Sequence, residues 1–364
     1  MFAPTQPAAM YAWHLEPRLT SAVWGGGELV RTYGKNGDPG ATLGESWECW
    51  DTDAVTNGPL KGSTVAMLRE RLGTQLLGDL DPARIFPILT KIITAHDWLS
   101  VQVHPDDAYA QRVEGEPFGK TECWYVIAAE PGAKLVVGWS RDTSRAEYER
   151  RVADGTLGEI LRKVPVQAGD TLYVPAGLVH AIGPGVTVFE TQQASDLTYR
   201  MFDWNRPGLD GKPRELNVRK AGDVLNYRAG GVSKLVQIDY HHEGLLRTAL
   251  IADPRFTVER IVATAEPASI ATDGRPLIIM SLEHPMDIEC DPTTTALEKY
   301  QTVIVPAAAG RCSVSTRAPR APFLFVTPPA SPKDLAIRLL AAGVSQPRID
   351  AFTKQFAPVE AGAA

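Results

Sequence analysis

Short runs in which apolar and polar residues alternate, separated by Gly and Pro turns, recur along most of the chain. Such runs at near-regular spacing are typical of an all-β sandwich or barrel. In residues 99–104 the alternation places Ser100, Gln102 and His104 on one face of a strand and apolar side chains on the other. Burying such a polar face destabilises the folded state unless its side chains find hydrogen-bond partners or a ligand. A bound metal ion would be one such partner.

The same reasoning predicts two sets of strands. The first set covers residues 45–50, 86–93, 99–104, 120–127, 135–139, 164–166, 170–174, 180–182 and 186–191. The second set lies beyond Gly230-Gly231, a candidate boundary, within residues 245–262, 268–282 and 302–326. Trp24 to Gly27 predicts a turn between short strands.

Helical spacing of apolar residues predicts three helical segments. These are residues 64–72 with Thr64 as the N-cap, an insertion within 144–163, and a segment from Ser331 through Ala342 with Ser331 as the N-cap. We therefore expect a mainly β fold of jelly-roll type, with helices as insertions and at the C-terminal end.

Length and charge restrict the partners. A chain of 364 residues is long for one core, so two domains are expected. Its net charge of -6 argues against general affinity for nucleic acid or an anionic membrane, and an anionic substrate would need a local cluster of Lys and Arg. No apolar run approaches the ~20 residues of a membrane helix, and the N-terminus lacks a signal pattern. These features predict a cytoplasmic protein.

The four cysteines, Cys49, Cys123, Cys290 and Cys312, lie far apart and show no CxxC spacing. We expect reduced thiols with neither a disulfide nor a zinc role.

A second candidate for metal binding follows the first. Residues 169–180 have the spacing of the second cupin motif, in which a Pro-Gly turn delivers a histidine, here His180, into a small β-barrel. The first cupin motif, His-x-His followed closely by Glu, is altered to Gln102-x-His104 with Glu122 further on. Two imidazoles and a carboxylate suit a catalytic Zn²⁺ site, and Mn²⁺, Fe²⁺ and Co²⁺ also fit. Gln102 either ligates the metal or supports the site by hydrogen bonding.

Four motifs in the right order resemble those of type I mannose-6-phosphate isomerases, zinc-dependent aldose–ketose isomerases built on a double cupin. The motifs are QVHPDD at 102–107, GKTECWY at 119–125, VPAGLVHA at 174–181 and ETQQASDLTYR at 190–200. Two further stretches, at 45–48 and 57–62, also match. The resemblance runs from about Trp13 to Val326 and is closest to the short bacterial form of the family.

The resemblance implies one Zn²⁺ per chain and assigns roles to ten residues. The implied metal ligands are Gln102, His104, Glu122 and His180. The implied catalytic residues are Lys120, Glu190 and Arg200. The implied substrate-binding residues are Lys91, Ser100 and Arg206, the last standing where longer members carry a lysine.

Interconversion of mannose 6-phosphate and fructose 6-phosphate, the activity of that family, moves a proton between C2 and C1 through a cis-enediol intermediate. Arginine stays protonated, so Arg200 suits stabilisation of the enediolate or the phosphate. Glu190 is the candidate base, with a metal-bound water and Lys120 as rivals. The expected partner is a small sugar phosphate, with no nucleic acid or membrane, and the chain is expected to be a monomer or a weak homo-oligomer.

Two alternatives stay open. A cupin dioxygenase would use Fe²⁺ with the same ligands but has no use for the Lys, Arg and Ser set. A non-enzymatic sugar-phosphate-binding cupin would keep the pocket and show no turnover.

The second set of strands repeats the VPAG-type turn at Val305 but carries Arg311 at the histidine position. We therefore predict a second, metal-free cupin. The predicted domains are 1–235, the metal-binding cupin with N-terminal strands and a helical insertion; 236–328, the second cupin; and 329–364, a helical tail.

Overall fold

Antiparallel strands make up most of the structure, a computed structural model that describes residues 10–81, 85–229, 234–329 and 332–356. The strands in the first half of the described chain are β1 Trp13–His14, β2 Arg18–Gly26, β3 Leu43–Cys49, β4 Ile88–Ala95, β5 Val101–Val103, β6 Glu122–Ala129, β7 Lys134–Trp139, β8 Leu161–Pro165, β9 Thr171–Val174, β10 His180–Ile182, β11 Val186–Gln193 and β12 Tyr199–Phe202. The later strands are β13 Ile238–His242, β14 Leu245–Asp253, β15 Phe256–Ala263, β16 Ala268–Ala271, β17 Leu277–Ser281, β18 Met286–Cys290, β19 Thr293–Leu297, β20 Thr302–Val305, β21 Arg311–Ser315 and β22 Ala321–Thr327.

Helices are short and lie between the strands or near the C-terminus. They are α1 Glu28–Arg31, α2 Val65–Leu72, α3 Thr74–Leu77, α4 Asp107–Tyr109, α5 Arg145–Ala153, α6 Val218–Val224, α7 Pro332–Ala341 and α8 Gln346–Lys354. The side chains of Thr64 and Ser144 accept hydrogen bonds from the third residue beyond them and so cap α2 and α5. No helix of the described residues combines the length and the apolarity needed to cross a membrane.

The described chain divides into two units. One contains Leu19–Trp47 and Leu89–Leu235. Its two sheets have the strand orders β12-β5-β10-β7-β8 and β2-β3-β4-β11-β6-β9. Their facing sides share one apolar core, to which Leu135 and Ile182 contribute from the first sheet and Trp124 and Val188 from the second. Burial of that shared core gives the unit its barrel-like double layer.

The five-stranded sheet of this unit is also covered on its other face. Val101 and Val103 pack there with Tyr148 of α5 and Ala221 of α6. The helical insertion therefore buries the apolar side of β5, and the opposite side of this strand is left to face the barrel interior.

The other unit contains Glu48–Ile88 and Val236–Phe356, together with residues 10–18. Its sheets have the orders β1-β20-β17-β22-β15-β14-β13 and β16-β21-β18-β19, and one apolar cluster joins them. The predicted mainly β double-cupin fold with helical insertions and a helical C-terminal end is confirmed. The division at 235 and 328 into three domains stays a prediction.

Several local predictions need correction. The strand expected over 99–104 is shorter, β5, and the insertion expected to be helical to 163 already turns into β8 at Leu161. No turn separates Trp24 from Gly26, because β2 continues through them. A Cβ at Gly25 would lie 2.5 Å from the Leu43 carbonyl carbon. Glycine at this position therefore allows β2 to lie close to β3. The Gly230-Gly231 boundary and the Ser331 cap lie outside the described residues.

The prediction of four reduced thiols is wrong for one pair. Cys290 at the end of β18 and Cys312 on β21 form a disulfide, whereas Cys49 and Cys123 are buried and form no disulfide. The two strands pair with Glu289 opposite Ser313, so the cysteines occupy the next facing position. They are 22 residues apart in sequence, and only strand pairing brings them together.

Candidate active site

The organising strand of the site is β5, at the centre of three paired strands. Gln102 is the register partner of His180 on β10 and of Arg200 on β12. The three residues therefore form a row across the sheet, with neighbouring strands about 5 Å apart. Because Val101 and Val103 face the helices, the row is directed into the barrel.

His104 and His180 are held in the same tautomer. Nδ1 of His104 lies 2.9 Å from the Leu197 carbonyl, and Nδ1 of His180 lies 2.9 Å from the Leu178 carbonyl. A carbonyl only accepts, so each Nδ1 carries the proton and each Nε2 presents a lone pair. Burial, first of all, lowers the pKa of both histidines. Both rings are therefore neutral and ready to ligate a cation.

Glu122, at the start of β6, completes the cluster. Its Oε2 lies 3.3 Å from Nε2 of His104 and its Oε1 lies 3.4 Å from Nε2 of His180. All four atoms are buried without a hydrogen-bond partner. Burial alone would raise the pKa of Glu122, but Lys120 and the two histidines lower it, so the carboxylate is ionised. Burying four acceptor atoms that point at one another without a shared proton destabilises the folded chain, unless a cation binds between them.

His104, Glu122 and His180 can therefore hold a metal ion, as the sequence predicts. Their potential ligand atoms all lie within 4.8 Å of one another. The donor set, two imidazole nitrogens and a carboxylate, fits a catalytic divalent metal with open positions. Among the described residues, no other group of three His, Cys, Asp or Glu side chains has this arrangement.

Lys120 stands beside the cluster. Its Nζ is 3.3 Å from Oε2 of Glu122. Burial alone would lower the pKa of Lys120, but Glu122 and further carboxylates raise it above the ordinary value. Asp107 holds the segment that leads into β6. Its Oδ1 accepts hydrogen bonds from the Gly119 N–H at 2.8 Å and from Nε2 of Gln193 at 2.9 Å.

Glu190 on β11 lies on the neighbouring wall. Its Oε2 accepts a hydrogen bond from Nε1 of Trp124 at 3.0 Å, and its Oε1 is buried without a hydrogen-bond partner. Nζ of Lys91 is 3.6 Å from Oε1 of Glu190 and 3.3 Å from Glu45. Burial and then the charge of Glu122 raise the pKa of Glu190 to about 7. The carboxyl group therefore titrates near neutrality.

A cavity of about 650 Å³ joins most of these groups. Of the ten predicted site residues, its wall includes Lys91, Ser100, Gln102, Lys120, Glu190 and Arg200. His104, Glu122 and His180 are at most 1% exposed and adjoin the cavity through Lys120. Arg206 is outside the wall: it lies 2.8 Å from Asp97 and 3.0 Å from Asp203.

Comparison with known proteins identifies the family of this chain. The family model described as phosphomannose isomerase type I, catalytic domain, matches residues 13–125. A mannose-6-phosphate isomerase of Streptococcus mutans is 41% identical over 248 residues, covering 67% of this chain and 76% of that protein. Mannose-6-phosphate isomerase ManA of Bacillus subtilis is 40% identical over 255 residues, with the same coverage. The chain belongs to the type I phosphomannose isomerase family.

A solved structure supports the membership. The crystal structure of a mannose 6-phosphate isomerase from Bacillus subtilis superposes with a TM-score of 0.79 at 30% identity, covering 87% of this chain and 99% of that one. The resemblance to phosphomannose isomerases found in the sequence motifs is thereby confirmed, and it extends to the fold.

Sequence reasoning missed three residues that line this candidate site. Trp47 donates to Glu45 at 2.8 Å, and the pair flanks Lys91, whose Nζ is 4.6 Å from the centre of the Trp47 ring. The match at 45–48 was the signal for both residues. Arg214 also lines the cavity, and no motif pointed to it.

Proposed function

We propose that this chain is a zinc-dependent aldose–ketose isomerase that interconverts mannose 6-phosphate and fructose 6-phosphate through a cis-enediol intermediate. The observation that carries the proposal is the cluster of His104, Glu122 and His180 beside a cavity with basic and acidic groups on its wall. The names of the relatives agree with this substrate pair.

We propose His104, Glu122 and His180 as the ligands of one Zn²⁺, with Gln102 as the fourth. Gln102 lines the cavity and is the register partner of His180, which supports that assignment. When bound, the ion supplies a Lewis acid that polarises the substrate carbonyl and lowers the energy of the enediolate.

Glu190 is our candidate for the base that moves the proton. In the direction of fructose 6-phosphate, it takes the proton from C2 of the open-chain aldose. The electron pair of that C–H bond forms the C1–C2 double bond, and the electron pair of the C1 carbonyl moves to O1, which gains a proton to give the enediol. The same carboxyl then returns its proton to C1 while O2 loses its proton and forms the C2 carbonyl, so that the net change is one proton from C2 to C1 and one from O2 to O1. Oε1, which accepts no hydrogen bond from the described residues and lies 3.6 Å from Nζ of Lys91, and a pKa of about 7 suit both halves of this transfer.

Two cations complete the proposed chemistry. Lys120 lies against Glu122, where its ammonium group stabilises negative charge on the substrate oxygens. Arg200 lies on the far side of Gln102 from His180, about two strand spacings (~10 Å) from the histidine. A hexose 6-phosphate carries its phosphate at the opposite end from C1 and C2, so Arg200 and Ser100 are proposed to bind that group.

The test is a coupled assay of mannose 6-phosphate isomerisation on the purified protein, before and after treatment with a chelator. We expect turnover that the chelator abolishes and added Zn²⁺ restores. Turnover that survives complete metal removal would contradict the metal role. A protein that consumes oxygen without isomerising the sugar would support the dioxygenase alternative, and tight sugar-phosphate binding without turnover would support the binding protein.

A further inference from the structure

The two cations among the implied substrate-binding residues, Lys91 and Arg206, are paired with carboxylates. Lys91 is 2% exposed and lies between Glu45 and Glu190. Arg206 is paired with Asp97 and Asp203 and does not line the cavity. A phosphate dianion in an acidic protein needs more than one guanidinium or ammonium group at close range.

Arg214 supplies a guanidinium that the sequence motifs did not reveal. It lines the cavity, and its side chain is 23% exposed. Its Nε and Nη2 donate to the two carboxylate oxygens of Asp203 at 2.6 and 2.7 Å. Within the described part of the chain, Nη1 makes no hydrogen bond. Asp203, at 6% exposure, thus fixes one edge of the guanidinium and leaves its other edge to a ligand.

Arg200 and the segment that carries Arg214 are held together. Nη1 of Arg200 donates to the carbonyl of Glu215, the next residue after Arg214, at 3.0 Å. The Arg200 N–H donates to Oδ1 of Asn217 at 3.0 Å, and the Asn217 N–H donates to the Arg200 carbonyl at 2.7 Å. These contacts hold Arg200 next to the segment that carries Arg214, and both arginines line the cavity.

The guanidinium groups of Arg200 and Arg214 repel each other. Burial, and then the charge of Arg214, lower the pKa of Arg200, and its Nε is buried without a hydrogen-bond partner. Four acidic residues of the described chain line the cavity. Glu45 and Glu190 lie against Lys91, whereas Asp196 and Asp210 are exposed to solvent, which screens their repulsion of a ligand.

We propose that Arg214, positioned by Asp203, binds the phosphate group of the substrate together with Arg200, and so sets the preference for a phosphorylated over an unphosphorylated sugar. The identity of the anion rests on the proposed function. The chemistry itself requires only a tetrahedral oxyanion that accepts hydrogen bonds from two guanidinium groups.

The test compares the holoenzyme with Arg214→Ala and Arg214→Lys. We expect Arg214→Ala to raise KM for mannose 6-phosphate, and the Kd of inorganic phosphate measured by calorimetry, about tenfold to a hundredfold, because a hydrogen bond to a charged group is lost. Arg214→Lys keeps the charge but not the two-pronged geometry, so it should lie between the wild type and Arg214→Ala. Metal content and Tm are measured for each variant, and Arg214→Lys decides the question if Arg214→Ala does not fold.

Lys212→Ala is the matched control. It removes the same charge from the same loop, but Lys212 is exposed and absent from the cavity wall, so KM and Kd should stay unchanged. Asp203→Asn should raise KM as well, because Asp203 positions the Arg214 guanidinium and the amide would hold it less firmly.

The inference fails if the wild type isomerises mannose 6-phosphate while both Arg214 variants keep its KM and its phosphate Kd. It also fails if Lys212→Ala weakens phosphate binding as much as Arg214→Ala, since the effect would then be long-range charge alone. If the wild type does not isomerise the sugar phosphate but loses phosphate affinity on Arg214→Ala, the anion site stands and the proposed function falls.

Discussion

Glu190 and Trp124 face each other across the paired strands β11 and β6, and the indole N–H donates to the carboxylate at 3.0 Å. The same indole lies edge-on to the His180 ring, with 5.5 Å between ring centres. One buried tryptophan thus contacts both the candidate base and a candidate metal ligand, and it fixes their separation.

The raised pKa of Glu190 predicts how activity depends on pH. A base must be ionised to act, and this carboxyl stays protonated until about pH 7. We expect kcat/KM to fall as pH drops below about 7, approaching tenfold per pH unit, and to level off above it. Glu190→Gln should lower kcat on the order of 10²- to 10⁴-fold with bound metal retained. A variant that keeps wild-type kcat would rule out Glu190 as the base.

Trp124→Phe removes the donor without removing the ring. A hydrogen bond to the ionised carboxylate favours that form, so its loss should move the acidic limb of the kcat/KM profile to higher pH. The measurement is the pH profile of the variant beside the wild type. Trp139→Phe is the control, because the Trp139 indole donates at 2.8 Å to the Asn226 carbonyl and does not line the cavity. Equal shifts in the two variants would contradict the role of Trp124.

His180→Ala should abolish both metal binding and turnover, since it removes one of three converging ligands. Metal content measured by mass spectrometry, and Tm with and without chelator, check this result. The wild type should lose Tm on chelation, because an ion that binds only the folded chain stabilises it. His284→Ala, at an exposed position, should retain wild-type metal content. Loss of metal in that variant would contradict the predicted metal-free second cupin.

Asp51→Ala should destabilise the protein without touching the cavity. Asp51 accepts from Nε and Nη2 of Arg69 at 3.1 and 3.2 Å and from the Phe86 N–H at 3.0 Å, all in buried surroundings. Removing one partner of a buried ion pair lowers the free energy of unfolding by roughly 3–5 kcal/mol. Thermal unfolding should show a clear drop in Tm, with kcat of the folded enzyme unchanged. Glu28→Ala, which breaks the exposed pair with Arg31, is expected to change stability by at most about 1 kcal/mol.

Local sequence determined much of the architecture. Alternation placed most strands correctly, and Thr64 marked a helix start that the structure confirms. These signals succeed because strand alternation and helix capping depend on neighbouring residues alone. The motifs also indicated the histidines and the carboxylate that meet in the cluster, since the turn before His180 and the strand carrying Glu122 fix where these side chains lie.

Contacts between distant segments were beyond the reach of those local signals. Strand pairing, not spacing, brings Cys290 to Cys312 and sets Gln102 between His180 and Arg200. Arg206 and Arg214 carry the same charge eight residues apart, and nothing local tells them apart. Only the folded chain, in which both arginines pair with Asp203, puts Arg214 on the cavity wall and keeps Arg206 off it. Local pattern thus determined which side chains each strand presents, whereas tertiary pairing decided which of them share a cavity.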